Sequence, residues 1–218
     1  VDREGYDAIT AAIAAGGAGT VDPDRCDAIL WFSDIAGFSA CSRSRSPSEI
    51  AKIIRALMDI QADVIRGAEG EVDKFMGDGL MAFWRVPDDD RRNRLIPRAV
   101  AAAIEVSERI REFAAASDLP IDIRIGLHCG PAVIGDFGGG DRIAFTVIGE
   151  TVNAASRYEQ ARQCAEGRAL GRVRLSAAFH DLLSDERLKG RFESERRSIS
   201  DKHGVVYPVH TLIDGENR

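Results

Sequence analysis

Between residues 71 and 84 the chain runs through two strand-like stretches, 71–76 and 79–84, joined at Gly77-Asp78-Gly79. So tight a connection between apolar runs commits them to an antiparallel hairpin, and any sheet this chain builds must carry the two strands as neighbours. A second apolar run, Ala28-Ile29-Leu30-Trp31-Phe32, closes on Ser33-Asp34. An aspartate closing a hydrophobic strand is costly to bury unless it is paired, hydrogen-bonded or metal-bound. Two such residues, Asp34 and Asp78, could converge on one site and hold a pair of divalent cations on a phosphate. On these residues alone other readings stay open. Gly-Asp-Gly is ordinary turn chemistry, and Asp34 could cap the start of a helix.

The pattern around these runs supplies the rest of the fold. Pro47 and Ser48 open a helix with Ile50, Ile53, Ile54, Leu57, Met58, Ile60, Val64 and Ile65 on one broad face, ended by Gly67 and Gly70. A second helical pattern covers 89–116, with Pro97 expected to start it or to kink it. Residues 121–129 alternate as a strand, Gly130-Pro131 is expected to turn the chain into a strand over 132–137, and a glycine-rich loop over 138–141 leads to a strand over 143–148. A third helix is expected over 150–164. A strand (172–175), a helix (176–183) and strand candidates at 189–193 and 205–213 follow. Residues 1–25 read as a short helix and linker, the stub of an upstream segment. The order β-α-β-β-α-β describes an α+β, ferredoxin-like, palm-like sandwich with α and β additions at its C-terminal end.

Composition narrows the function classes. The 218 residues carry a formal net charge of −6 and no long basic block, so nucleic acid is not an expected partner. Cys26, Cys41, Cys129 and Cys164 are scattered without C-x-x-C spacing, as in a reduced, cytoplasmic protein. No apolar stretch approaches the roughly 20 residues of a membrane span. The opening at Val1 is compatible with the cytosolic part of a larger protein. Lysines are few (Lys52, Lys74, Lys189 and Lys202), which makes Lys74, inside a strand, conspicuous.

Four segments carry a resemblance: Phe32-Ser33-Asp34-Ile35-Ala36-Gly37-Phe38-Ser39, Lys74-Phe75-Met76-Gly77-Asp78, Arg124-Ile125-Gly126-Leu127-His128-Cys129-Gly130, and Phe145-Thr146-Val147-Ile148-Gly149-Glu150-Thr151-Val152-Asn153-Ala154-Ala155-Ser156-Arg157. In order and spacing they resemble the signature segments of class III nucleotidyl cyclases. The likeness runs from about residue 28 to 165 and is weaker beyond, so residues 26–218 are expected to form one catalytic domain.

The resemblance implies a head-to-tail homodimer with composite active sites at its interface. It implies that Asp34, Asp78 and the backbone carbonyl of Ile35 hold Mg²⁺ or Mn²⁺, two per site. It puts Lys74 and Thr146, from the other subunit, at the positions that read the purine. Asn153 and Arg157 of that subunit match the residues that orient the ribose and stabilise the transition state. Arg124 matches a phosphate-binding arginine, and the turn at Gly37-Phe38 offers backbone N–H groups to a polyphosphate. On their own, Asn153 and Arg157, four apart on a helix, would equally suit a solvated polar pair.

Donor and acceptor counting favours ATP at the purine position. Adenine presents an acceptor at N1 and a donor at N6, whereas guanine presents the reverse. A lysine ammonium only donates, and a threonine hydroxyl can accept. Guanylyl-type relatives usually carry an acidic residue where Lys74 stands. Threonine at 146 is similar to a subgroup responsive to bicarbonate, a further expected ligand. The tail Ser200-Asp201-Lys202-His203-Gly204 departs from the family's Lys-Gly segment, so Lys202 is a weak counterpart of its phosphate-binding lysine. The expected activity is conversion of ATP to 3′,5′-cyclic AMP and pyrophosphate. The alternatives are a guanylate cyclase and a degenerate, nucleotide-binding regulatory domain.

Overall fold

The computed structural model describes residues 23–138, 144–201 and 204–213. Most of the expected N-terminal helix and linker, and Lys202, lie outside the described residues. Strand β1 (Asp24–Ala36) begins inside the stretch read as linker. A single turn, α1 (Phe38–Ser42), follows, and then helix α2 (Pro47–Gly67). Ser46 caps α2 by accepting from the Glu49 N–H while the Glu49 side chain accepts from the Ser46 N–H, a reciprocal cap with Pro47 in the first turn. The hairpin is present as β2 (Glu71–Met76) and β3 (Gly79–Val86).

Helix α3 (Asp89–Ala116) starts at Asp89, capped by Asp88, and not at Pro97. Pro97 removes one N–H from the helix interior, but the carbonyl it leaves belongs to exposed Asn93, where water can substitute. The expected turn at Gly130-Pro131 is also absent. One strand, β4 (Asp122–Asp136), runs straight through it. Along the edge away from β1, β4 pairs with β6 (Val173–Ser176) only at 125–127 and with β5 (Phe145–Ile148) only at 133–136. Pro131 falls in the gap, where a residue without an N–H is tolerated.

Helix α4 (Glu150–Gln160) is shorter than expected. Short helices α5 (Ala177–Asp181) and α6 (Glu186–Lys189) precede β7 (Arg197–Ser200) and β8 (Val206–Thr211). The strand expected at 189–193 is instead the end of α6 and an isolated bridge from Phe192 to Leu212. The strand actually present, β7, has a single apolar residue, Ile199, and no alternation to betray it.

The sheet order is β2-β3-β1-β4-β6-β8-β7, with β5 also on β4. The β2-β3-β1-β4 half is the expected ferredoxin-like arrangement, and β6, β8 and β7 extend it. β1 is covered on both faces, which explains its unbroken apolar run. Ile29, Trp31 and Ile35 face a core with Leu57 and Ile65 of α2 and Leu95 and Val100 of α3. Ala28, Leu30 and Phe32 face a second core with Met81, Phe83, Ile134 and Ala155. Gly126 lets α4 sit directly on β4, since a Cβ there would lie 2.5 Å from the Glu159 nitrogen.

Candidate active site

One end of the sheet gathers the first group of candidates. Asp34 is paired with Arg124 across the β1–β4 ladder, and Ser33 with Leu80 across β1–β3, so the hairpin turn carrying Asp78 lies beside the end of β1. That approach is close: a Cβ on Gly79 would lie 2.7 Å from the Ser33 carbonyl. The Arg124 guanidinium donates to Asp34 Oδ2, and its Nε lies 3.4 Å from Glu159 Oε1 on α4. Burial, with the charge of Asp34 adding to it, pushes the Asp78 carboxyl above the usual carboxylate range. Burial first, then Asp34, pushes Glu159 up to about 7 against the opposing pull of Arg124 and Arg174. Buried Arg174 donates to the carbonyls of Tyr158, Glu159 and Ala161 and so holds the last turn of α4 in place. The Ile35 side chain is buried. Gly37 adopts a φ of +83°, and a Cβ there would meet the Pro120 carbonyl at 2.4 Å. Phe38 packs against the core of the α2–α3 face.

The donor set at this end suits a hard cation. Among the described residues no group of three or more His, Cys, Asp or Glu side chains could hold a metal by itself. Two carboxylates with a backbone carbonyl are what Mg²⁺ or Mn²⁺ accepts when substrate phosphates complete the shell.

A second group forms where β2 meets β5. Lys74 Nζ donates to Thr146 Oγ1 at 3.1 Å, although the residues are 72 positions apart. Thr146 Oγ1 donates to Asp73 Oδ2 at 3.0 Å, and Lys74 Nζ lies 3.1 Å from that same oxygen. Strict alternation would send the side chains of Asp73 and Lys74 to opposite faces. The β2–β3 register instead shifts between Val72 and Lys74, a bulge that lets both reach Thr146.

The third group lies on α4. Asn153 is exposed, and its Nδ2 donates to Glu150 Oε2 at 3.3 Å. Arg157 lies 5.0 Å from the Tyr207 ring centre, donates to the Tyr207 hydroxyl and to Glu150 Oε1 at 3.4 Å, and sits 3.7 Å from Asp201 Oδ2. Arg157, Asp201 and Tyr207 border an open cavity of about 340 Å³, which Asn153 and Glu150 do not line. Arg157 and Glu159, two apart, project roughly 200° from each other around the helix. Within one chain, therefore, Glu159 faces Arg124 while Arg157 faces the β7–β8 side.

A family model of the adenylate and guanylate cyclase catalytic domain matches residues 22–209. The chain belongs to this family. The cyclase domain is 32% identical over 201 residues to adenylate cyclase 1 of Rhizobium meliloti, covering 88% of this chain and 30% of that protein. It thus spans less than a third of that relative's length. Its fold superposes on the adenylyl cyclase CyaB of P. aeruginosa with a TM-score of 0.74 at 24% identity, covering 90% of this chain and 98% of the other. It also superposes on the guanylyl cyclase Cya2, with a TM-score of 0.66 at 24% identity over 89% and 97% of the two chains. These two likenesses are of fold, and they do not separate ATP from GTP.

Asp73, Glu159, Arg174, Asp201 and Tyr207 were not among the sequence candidates. No spacing signal marks the last four, which are brought in by α4, β6, β8 and the end of β7. Asp73 could have been found only by anticipating the bulge.

Proposed function

We propose that the cyclase domain converts ATP to 3′,5′-cyclic AMP and pyrophosphate at composite sites in a head-to-tail homodimer. The observation that carries the choice of ATP is the Lys74–Thr146 contact. It sets a donor beside a potential acceptor, as the N1 and N6 edge of adenine requires. The divergence of Arg157 from Glu159 around α4 supports the composite arrangement, because Glu159 faces Arg124 while Arg157 is turned to the other side.

In this reading the ATP 3′-oxygen bonds to the α-phosphorus, the bond to the bridging oxygen of pyrophosphate breaks, and the hydroxyl proton leaves to solvent. Asp34, Asp78 and the Ile35 carbonyl would hold Mg²⁺ or Mn²⁺, which when bound neutralises phosphate charge and lowers the pKa of the hydroxyl. Arg124 exchanges Asp34 for the phosphates, and the Gly37-Phe38 turn adds backbone donors. From the partner subunit, Lys74 and Thr146 hold the base, Asn153 orients the ribose, and Arg157 meets the charge that builds on the phosphoryl oxygens. Arg157 must first leave Glu150, Asp201 and Tyr207.

The test is purified domain with Mn²⁺ and either ATP or GTP, identifying the cyclic product and pyrophosphate. Cyclic AMP from ATP in excess over cyclic GTP is the expected result. A preference for GTP would overturn the purine assignment, and binding without turnover of either would point to a regulatory domain.

A further inference from the structure

We propose that Asp73 is a positioning residue for base selection: it accepts the hydrogen bond donated by the Thr146 hydroxyl and so leaves that oxygen able only to accept from a ligand. The inference rests on the ATP reading above and adds to it the residue that sets the polarity of the threonine.

A threonine hydroxyl has one proton and two lone pairs, so by itself it can serve adenine N6 as acceptor or guanine O6 as donor. A free hydroxyl next to Lys74 would discriminate poorly. Here the proton has a destination. Thr146 Oγ1 donates to Asp73 Oδ2 at 3.0 Å, and a carboxylate can only accept. Lys74 can only donate, and it occupies one of the two lone pairs of Thr146 at 3.1 Å. What remains on Thr146 is a single lone pair, complementary to the N6 amine and repelled by an O6 oxygen.

Two features mark Asp73 as more than a strand residue. Its side chain is 1% exposed, and its second oxygen, Oδ1, is buried with no hydrogen-bond partner among the described residues. A half-satisfied buried carboxylate weakens a fold, so its presence calls for a role beyond packing. The bulge between Val72 and Lys74 is the second feature. It breaks the ladder in order to bring Asp73 to the same side as Lys74. Buried as it is, Asp73 cannot touch the base, and it acts through Thr146 and Lys74.

The experiment compares kcat/KM for ATP with that for inosine triphosphate, whose base carries an O6 acceptor and an N1–H donor. Asp73→Leu keeps the branched outline of the side chain, with added volume, and removes both acceptor oxygens; Asp73→Ala serves if the larger leucine does not allow folding, as judged by thermal melting. The inosine-to-ATP ratio is expected to rise roughly tenfold or more, the scale of an unpaired polar contact at a specificity site. Asp73→Asn, which keeps a carbonyl for the Thr146 proton, is expected to hold the ratio near that of the unmodified protein. In a Thr146→Val background Asp73→Leu is expected to add nothing to the ratio. A proportional loss for both nucleotides, with the ratio unchanged, would make Asp73 a merely structural residue and overturn the inference while leaving the ATP reading intact. An undiminished shift in the Thr146→Val background would overturn it as well. Preference of the unmodified protein for inosine or guanosine triphosphate would instead remove the ATP reading on which it rests.

Discussion

Two aspartates of this domain are each held by a basic side chain, and they differ in what can reach them. Asp34, at the end of β1, is 30% exposed and paired with Arg124 from the next strand. Asp73, in the bulge of β2, is 1% exposed and paired with its neighbour Lys74 and with Thr146. An open carboxylate can trade its guanidinium for a cation, because water and ions reach it and the arginine has another acidic neighbour in Glu159. A closed one cannot change partners without leaving a charge uncompensated in the interior, which costs several kcal/mol. Ion pairing alone therefore says little about function. Exposure separates a carboxylate suited to binding from one suited to fixing the polarity of its neighbours.

The strongest way to break the comparison is to remove the open carboxylates. Asp34→Ala and Asp78→Ala are each expected to lower turnover roughly a hundredfold or more with melting temperature little changed. Near-normal turnover at saturating Mn²⁺ in either variant would show that the open end of the sheet is not the cation site. Mixing sharpens the same point. If Asp34 and Arg157 serve one site from different subunits, combining Asp34→Ala and Arg157→Ala chains leaves one intact site in each mixed dimer. With random exchange roughly a quarter of wild-type activity returns. A mixture that stays inactive, although differently tagged chains are shown to exchange, would place the site within one chain.

At the closed cluster the effects are smaller. Lys74→Glu sets an acid beside Asp73 and removes the donor for N1. It is expected to reduce kcat/KM for ATP roughly five- to 150-fold, the equivalent of about 1–3 kcal/mol. Unchanged ATP kinetics would remove Lys74 from the base site.

The smallest effect concerns Glu159, behind Arg124. Its carboxyl is raised from 4.5 to about 7 in the folded chain, chiefly by burial. The folded state then keeps a proton that the unfolded chain has released. This penalty is absent below about pH 4.5, grows as pH rises toward 7 and levels off above it. Glu159→Gln removes the penalty, so the variant's melting temperature is expected to gain on the unmodified protein by several degrees between pH 5 and pH 8. A difference that does not change across that window would mean that Arg124 and Arg174 compensate the charge fully.

Local pattern and turn chemistry determined much of this molecule. The hairpin at Gly77-Asp78-Gly79, the buried run of β1, the start of α2 at Pro47 and the succession of elements from α2 to α3 are all legible because each depends on residues near one another in the chain. So was the grouping of Asp34, Asp78, Lys74, Thr146, Asn153 and Arg157 as candidates, through the four segments resembling the cyclases. Tertiary structure decided what no local window contains. Pro131 runs on within β4 because it meets a gap between two partner strands, and Pro97 stays inside α3 because the carbonyl it orphans belongs to an exposed residue. β7 exists because β8 offers it an edge, not because its own residues alternate. The bulge that turns Asp73 toward Thr146, and the close seating of α4 on Gly126 that sends Glu159 and Arg157 to different sides, arise from contacts between distant segments. The types of residue that could do chemistry were legible in the sequence; packing and register decided which of them are open, which are closed and which meet.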